Sequence, residues 1–84
     1  MARQKQTAKE VYQERQDDIG ALLDLIGQEV KMHAEHARKD GLHFGHVGDL
    51  SYVKERLVEV LAQLAQQDQS FIEDHLAELR EEGR

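Results

Sequence analysis

Apolar residues recur at helical spacing on both sides of a glycine-rich stretch, residues 40–49, and this pattern constrains the fold most strongly. The stretch holds three of the six glycines. The whole chain lacks proline, the residue that most readily breaks a helix. One helix is therefore predicted to run into the stretch and another to leave it. We interpret residues 40–49 as the joint of a helical hairpin.

The first predicted helix covers residues 8–39. Thr7 and Glu10 have the spacing of a capping box, in which each side chain satisfies a backbone N–H of the first turn. The alternative start is Asp17 or Asp18. Gly41 suits the left-handed position that follows a helix C-terminus. The apolar positions of this helix share one face: Ile19, Leu22, Leu23, Ile26, Val30, His33, Ala34 and Ala37. Residues 1–6 are predicted to be a disordered tail.

The second helix is predicted to begin after Asp49, a good N-cap residue, and to end near Gln66. Its apolar stripe is wide enough to contact more than one neighbouring helix: Leu50, Val53, Leu57, Val60, Leu61 and Leu64, with Val58 and Ala65 beside them. A short third helix follows, capped by Ser70 with Glu73 or by Asp68. It carries Phe71, Ile72, Leu76 and Leu79.

The predicted fold is one small all-α domain over residues 1–84, a helical hairpin plus a third helix. The first helix, about 32 residues long, spans about 48 Å, whereas the second, about 17 residues long, spans only about 25 Å. The second helix is therefore too short to cover the whole apolar face of the first, and another helix must cover the rest. We expect two chains to associate as a homodimer that resembles a four-helix bundle, with the third helices packed outside.

The expected dimer interface lies on the first helix. Leu25 and Met32 are seven residues apart, away from the main stripe, and such a second apolar strip suggests a partner helix. Gly20, Gly27 and Ala34 also recur every seven residues and suggest a groove for a close-packed helix. The predicted interface residues are Ile19, Leu22, Leu25, Ile26 and Met32.

Three potential metal ligands share one face of the first helix: Glu29, His33 and His36. Imidazole and carboxylate groups suit zinc, nickel or iron. Their spacing matches neither the zinc-protease motif nor the motif of di-iron bundles. The alternative is that His33 is a buried or interface histidine and His36 an ordinary surface residue.

Charge and composition exclude several classes of protein. The net charge is −6, and residues 1–16 are basic while the remainder is acidic. A phosphate backbone needs a basic surface, so a nucleic-acid partner is not expected, and a DNA-associated role of the basic N-terminus ranks last. No apolar run approaches the roughly 20 residues of a membrane span. The N-terminus also lacks the apolar core of a secretory signal. A cytoplasmic protein is expected.

The sequence favours a non-enzymatic interaction or regulatory module that acts as a homodimer without a cofactor. Thr7, Ser51 and Ser70 fit helix caps or first turns better than a nucleophile with an activating base. The protein partner is unknown. Metal binding through histidine and carboxylate ligands is the alternative function.

Overall fold

The computed structural model describes residues 6–83, which form three α-helices and no strand. Helix α1 covers Ala8–Lys39, α2 covers Phe44–Ala65, and α3 covers Gln69–Glu82. The all-α prediction is confirmed. Most of the predicted tail, residues 1–5, lies outside the described residues. None of the three helices is both long and apolar enough to cross a membrane.

Helix α1 begins and ends at its predicted positions. The Thr7 backbone N–H donates to a Glu10 carboxylate oxygen at 3.0 Å, and the Glu10 N–H donates to the Thr7 hydroxyl at 3.2 Å. This pair is the predicted capping box. At the other end, Gly41 has a φ of +85°, and the Leu42 N–H donates to the Ala37 carbonyl at 2.7 Å. Gly41 therefore occupies the predicted left-handed position of a Schellman motif.

Helix α2 begins earlier than predicted. Its N-cap is His43, and its first turns occupy residues of the predicted joint. Asp49 consequently lies inside the helix and does not cap it. The physical reason is a hydrogen bond of an unexpected kind: the Gly45 N–H donates to Nδ1 of His43 at 3.1 Å. The His43 imidazole therefore caps the helix, whereas the prediction gave this role to the Asp49 carboxylate.

The connection between α2 and α3 is short. Gln66 adopts the left-handed conformation, with φ 56° and ψ 46°, and the Gln67 N–H donates to the Ala62 carbonyl at 3.0 Å. Asp68 is the N-cap position of α3, so Ser70 falls in the first turn and the predicted Ser70 cap is not used.

The chain divides into two compact units, residues 1–42 and residues 43–84. In the second unit, α2 packs against α3 through a small core of Val58, Ala62 and Ile72, with Leu76 at its edge. The Lys54 ammonium and the Glu73 carboxylate join the two helices at 3.2 Å. In the first unit, Ala37 is the buried residue of the described part of α1.

Candidate functional site

The most prominent surface of the first unit is an apolar stripe on α1. Its large side chains are about half exposed: Ile19 (48%), Leu22 (55%), Leu23 (56%) and Val30 (39%). Ile26, in the middle of the stripe, is partly buried. The amphipathic spacing predicted from the sequence is therefore present, and most of the apolar face is open to solvent.

The two flanks of this stripe are also open. Leu25 and Met32, the second predicted strip, are 54% and 62% exposed. A Cβ atom added at Gly20 or Gly27 would meet nothing within 4 Å, so the predicted groove is empty space beside the helix. All five predicted interface residues lie on this part of α1, and their burial in a dimer stays a prediction.

Helix α2 carries a second open apolar surface. The buried apolar residues that α2 contributes to the core with α3 are Val58 and Ala62. Val58 was predicted only as an edge of the stripe, and Ala62 was not predicted. The main stripe is centred on Leu57, about 120° around the helix from these two residues at 100° per residue. Its members are all at least 36% exposed: Leu50, Val53, Leu57, Val60, Leu61 and Leu64. Helix α3 therefore leaves the larger apolar face of α2 uncovered.

The predicted metal ligands lie in the C-terminal half of α1. His33 is partly buried, whereas Glu29 and His36 are exposed. Over the residues that the structure describes, donor atoms of these three side chains do not gather within 4.8 Å of one another. Metal binding at this face stays a prediction that would require side-chain rearrangement.

A pair of histidines at the start of α2 forms a second capping box. The His43 backbone N–H donates to Nδ1 of His46 at 3.1 Å, and the two rings lie 4.0 Å apart. Both Nδ1 atoms act as acceptors, so each neutral ring carries its hydrogen on Nε2. A Cβ atom added at Gly45 would approach Cε1 of His43 to 2.8 Å. The capping position of the His43 ring therefore favours glycine at residue 45.

This histidine box was not predicted, because serine, threonine, aspartate and asparagine are the residues that usually cap a helix N-terminus. Its available signal was the three-residue spacing of His43 and His46 at the start of an apolar helical pattern. A metal bound to Nε2 of either ring would require the hydrogen on Nδ1, where it would oppose the backbone N–H donor. Donor atoms of Asp40, His43 and His46 do lie within 4.8 Å of one another, but a metal on either neutral ring would remove an acceptor that caps the helix.

The second unit also has a shallow cavity of about 350 Å³ between α2 and α3. Its lining is of mixed polarity and includes both partners of the ion pair that joins the helices: Ser51, Lys54, Glu55, Val58, Gln69 and Glu73. The lining contains no imidazole to activate the Ser51 hydroxyl.

Charge in the described residues is confined to the surface, since none of their polar or charged side chains is buried. Glu10 has its pKa lowered, first by the hydrogen bond from the Thr7 backbone N–H and second by that from the Thr7 hydroxyl. This perturbation has a structural origin in the α1 cap. The open apolar faces are therefore the surfaces with the clearest functional potential.

No protein-family model, curated protein or solved structure matches this chain. Functional inference therefore depends on the surfaces themselves.

Proposed function

We propose that this chain is a non-enzymatic helical interaction module that acts as a homodimer. The observation that carries the proposal is the open apolar stripe of α1, where four large aliphatic side chains are about 40 to 55% exposed. Single exposed apolar residues are ordinary, but a continuous apolar stripe indicates an interaction surface. A second copy of the chain supplies a stripe of the same chemistry.

The size of the α1 stripe sets what the dimer requires. Fully burying a leucine or isoleucine contributes about 1.5–3 kcal/mol, so covering its exposed half contributes about 1 kcal/mol. With Leu25 included, five such side chains in each of two copies contribute about 10 kcal/mol. Association itself costs about 4–15 kcal/mol. The α1 stripes alone therefore only balance that cost, and a stable dimer needs a further surface.

The open face of α2 is that further surface. Two copies of α1 and α2 supply four amphipathic helices, the number in a four-helix bundle. Helix α3 stays outside this bundle, on the flank of α2 where it already contacts Val58 and Ala62. Two-fold dimers are the commonest symmetric assemblies of soluble chains. The resulting module would present its polar outer faces to a protein partner.

The test replaces Leu23 by glutamate. Leu23 is 56% exposed within the chain, so the Leu23→Glu variant should fold as a monomer. In a dry interface, however, an unpaired carboxylate is strongly unfavourable. Gln13→Glu is the matched control, because it adds the same charge to an exposed position about 180° around the same helix from Leu22, away from both the stripe and the Leu25–Met32 strip.

Sedimentation equilibrium over a range of concentrations gives the result. The wild type and Gln13→Glu should have twice the 9.7 kDa chain mass, and Leu23→Glu should have a mass near one chain. Thermal stability of the wild type should also rise with concentration. A wild-type mass near one chain at high concentration would overturn the proposal.

A further inference from the structure

The open face of α2 has the residue spacing of a coiled-coil seam. Its apolar residues alternate at steps of three and four along the helix: Leu50, Val53, Leu57, Val60 and Leu64. This is the heptad pattern, with leucine at the a positions and valine at the d positions. The α1 stripe shows the same alternation from Ile19 through Leu23, Ile26 and Val30, but it continues into His33 and Ala37 and is broadened by Leu22. The α2 pattern is therefore suited to a helix that packs along it.

The structure shows that α3 does not fill this role. Helix α3 contacts α2 through Val58 and Ala62, which lie at heptad positions b and f. The seam residues remain 36 to 71% exposed, with Leu64 at the upper limit. The seam therefore has no cover within residues 43–83, although the helix that carries it is already fixed by packing on its other side.

We infer that the α2 seam packs against the α2 seam of a second copy, with the two helices parallel and in register. This inference rests on the proposed self-association and names its second contact and its orientation. A seam from Leu50 to Leu64 is about 21 Å long at 1.5 Å per residue. That length is short for the roughly 800 Å² that each partner buries in a stable interface, so the α2 contact works together with the α1 stripe.

Charge at the edges of the seam favours the parallel orientation. In a parallel pair, a g position faces the e position five residues further on in the other helix. This places Asp49 beside Lys54 of the second copy, where it would add a second carboxylate to the Lys54–Glu73 ion pair of that copy. An antiparallel pair with full overlap instead brings like edges together and places Arg56 close to Arg56 of the second copy. Opposite charges at such edges select orientation, and like charges oppose it.

The side-chain order along the seam also indicates how many helices assemble. Leucine at a with a β-branched residue at d favours three or four strands over two. The α2 pair therefore needs further helices alongside it, and the two α1 stripes meet that need. This agrees with a four-helix bundle in which α2 is parallel to its symmetry mate.

The absence of cysteine from the chain permits a direct test by disulfide cross-linking. Leu50→Cys and Leu64→Cys each place one thiol near one end of the seam, at exposed positions that do not contribute to the α2–α3 core. Glu59→Cys is the matched control, because Glu59 is exposed and lies about 160° from Leu57 on the same helix. Each variant is oxidised mildly alone and in mixtures, then analysed on a non-reducing gel.

A parallel pair places each seam cysteine opposite itself, within the 4.4–6.8 Å Cα separation that a disulfide spans. Leu50→Cys alone and Leu64→Cys alone should each cross-link at least about fivefold more than Glu59→Cys, because only the seam thiols are within that reach. Cross-linking only in the mixture of Leu50→Cys with Leu64→Cys would show an antiparallel pair and overturn the inference. Dimer mass without any seam cross-link would overturn it while the proposed function stands. A monomeric wild type would overturn both.

Discussion

The two units of this chain differ in how they cover their apolar residues. In residues 43–83, two helices share a core of Val58, Ala62 and Ile72. In residues 6–42, a single helix of 32 residues leaves almost its whole apolar stripe exposed. Helices in proteins owe most of their stability to packing of the apolar face, and propensity contributes less. The second unit therefore buries part of its apolar surface within the chain, whereas most of the apolar face of α1 is exposed.

The same comparison applies within α2. One flank of this helix is covered by α3, and the opposite, larger apolar face is as open as the stripe of α1. Short helix α3 therefore acts as a support that holds α2 and leaves its seam available. A buried core face and a larger exposed apolar face therefore lie on the same helix.

The largest expected effect comes from breaking the small core. Ile72 is 5% exposed and is the contact of α3 with Val58 and Ala62. Replacing a buried isoleucine by alanine removes transfer energy and leaves a cavity, so Ile72→Ala should lower the unfolding free energy by about 2–4 kcal/mol. Urea denaturation followed by circular dichroism measures this loss.

Leu22→Ala is the control in the other unit, because it shortens a side chain that is 55% exposed. At concentrations where the chain is monomeric, it should change the unfolding free energy by less than about 1 kcal/mol. Its cost should rise at concentrations that favour the dimer. Equal losses for the two variants at low concentration would contradict the difference between the units.

A smaller effect on stability is expected from replacing two glycines that have different backbone conformations. Gly41 has a φ of +85°, whereas Gly48 lies inside α2 with open space around its would-be Cβ. An alanine side chain is strained in the left-handed region, so Gly41→Ala should cost about 1 kcal/mol. Gly48→Ala should instead stabilise the protein by about 0.5–1 kcal/mol, since alanine is the better helix former. The urea midpoints should move in opposite directions. A midpoint for Gly41→Ala at or above wild type would show that the left-handed cap of α1 is not needed.

The bounds of α1 could be predicted from the sequence because its end signals are local. A threonine and a glutamate three residues apart mark its start, and Gly41 marks its end. Each signal depends on hydrogen bonds within one or two turns, which a linear sequence displays directly. The amphipathic stripe was predictable for the same reason.

The start of α2 and the partner of α3 could not be predicted in this way. A histidine cap uses an acceptor nitrogen that depends on ring orientation and tautomer, which residue preferences do not record. The choice of Val58 and Ala62 as the contact with α3 is tertiary, and periodicity favours the larger leucines on the other face. For the candidate surfaces, the residue spacing predicted which apolar residues of α1 share a face. The exposure of each side chain in the structure was needed to show which faces are open to solvent.

The smallest expected effect concerns the capping box of α1 and depends on pH. Hydrogen bonds from Thr7 lower the pKa of Glu10 in the folded chain, so the charged carboxylate is favoured there. The resulting stabilisation is present above the pKa that Glu10 has in the unfolded chain, and it is lost as pH falls through the folded value. Helicity at residues 8–11, followed by NMR chemical shifts, should decrease over that acidic range. Glu10→Gln should abolish the step, because a neutral amide does not titrate. Glu35→Gln, an exposed change in the same helix, should preserve it. A step that survives in Glu10→Gln would assign the pH dependence to another carboxylate, and the first turn of α1 would then owe its order to the Thr7 hydroxyl.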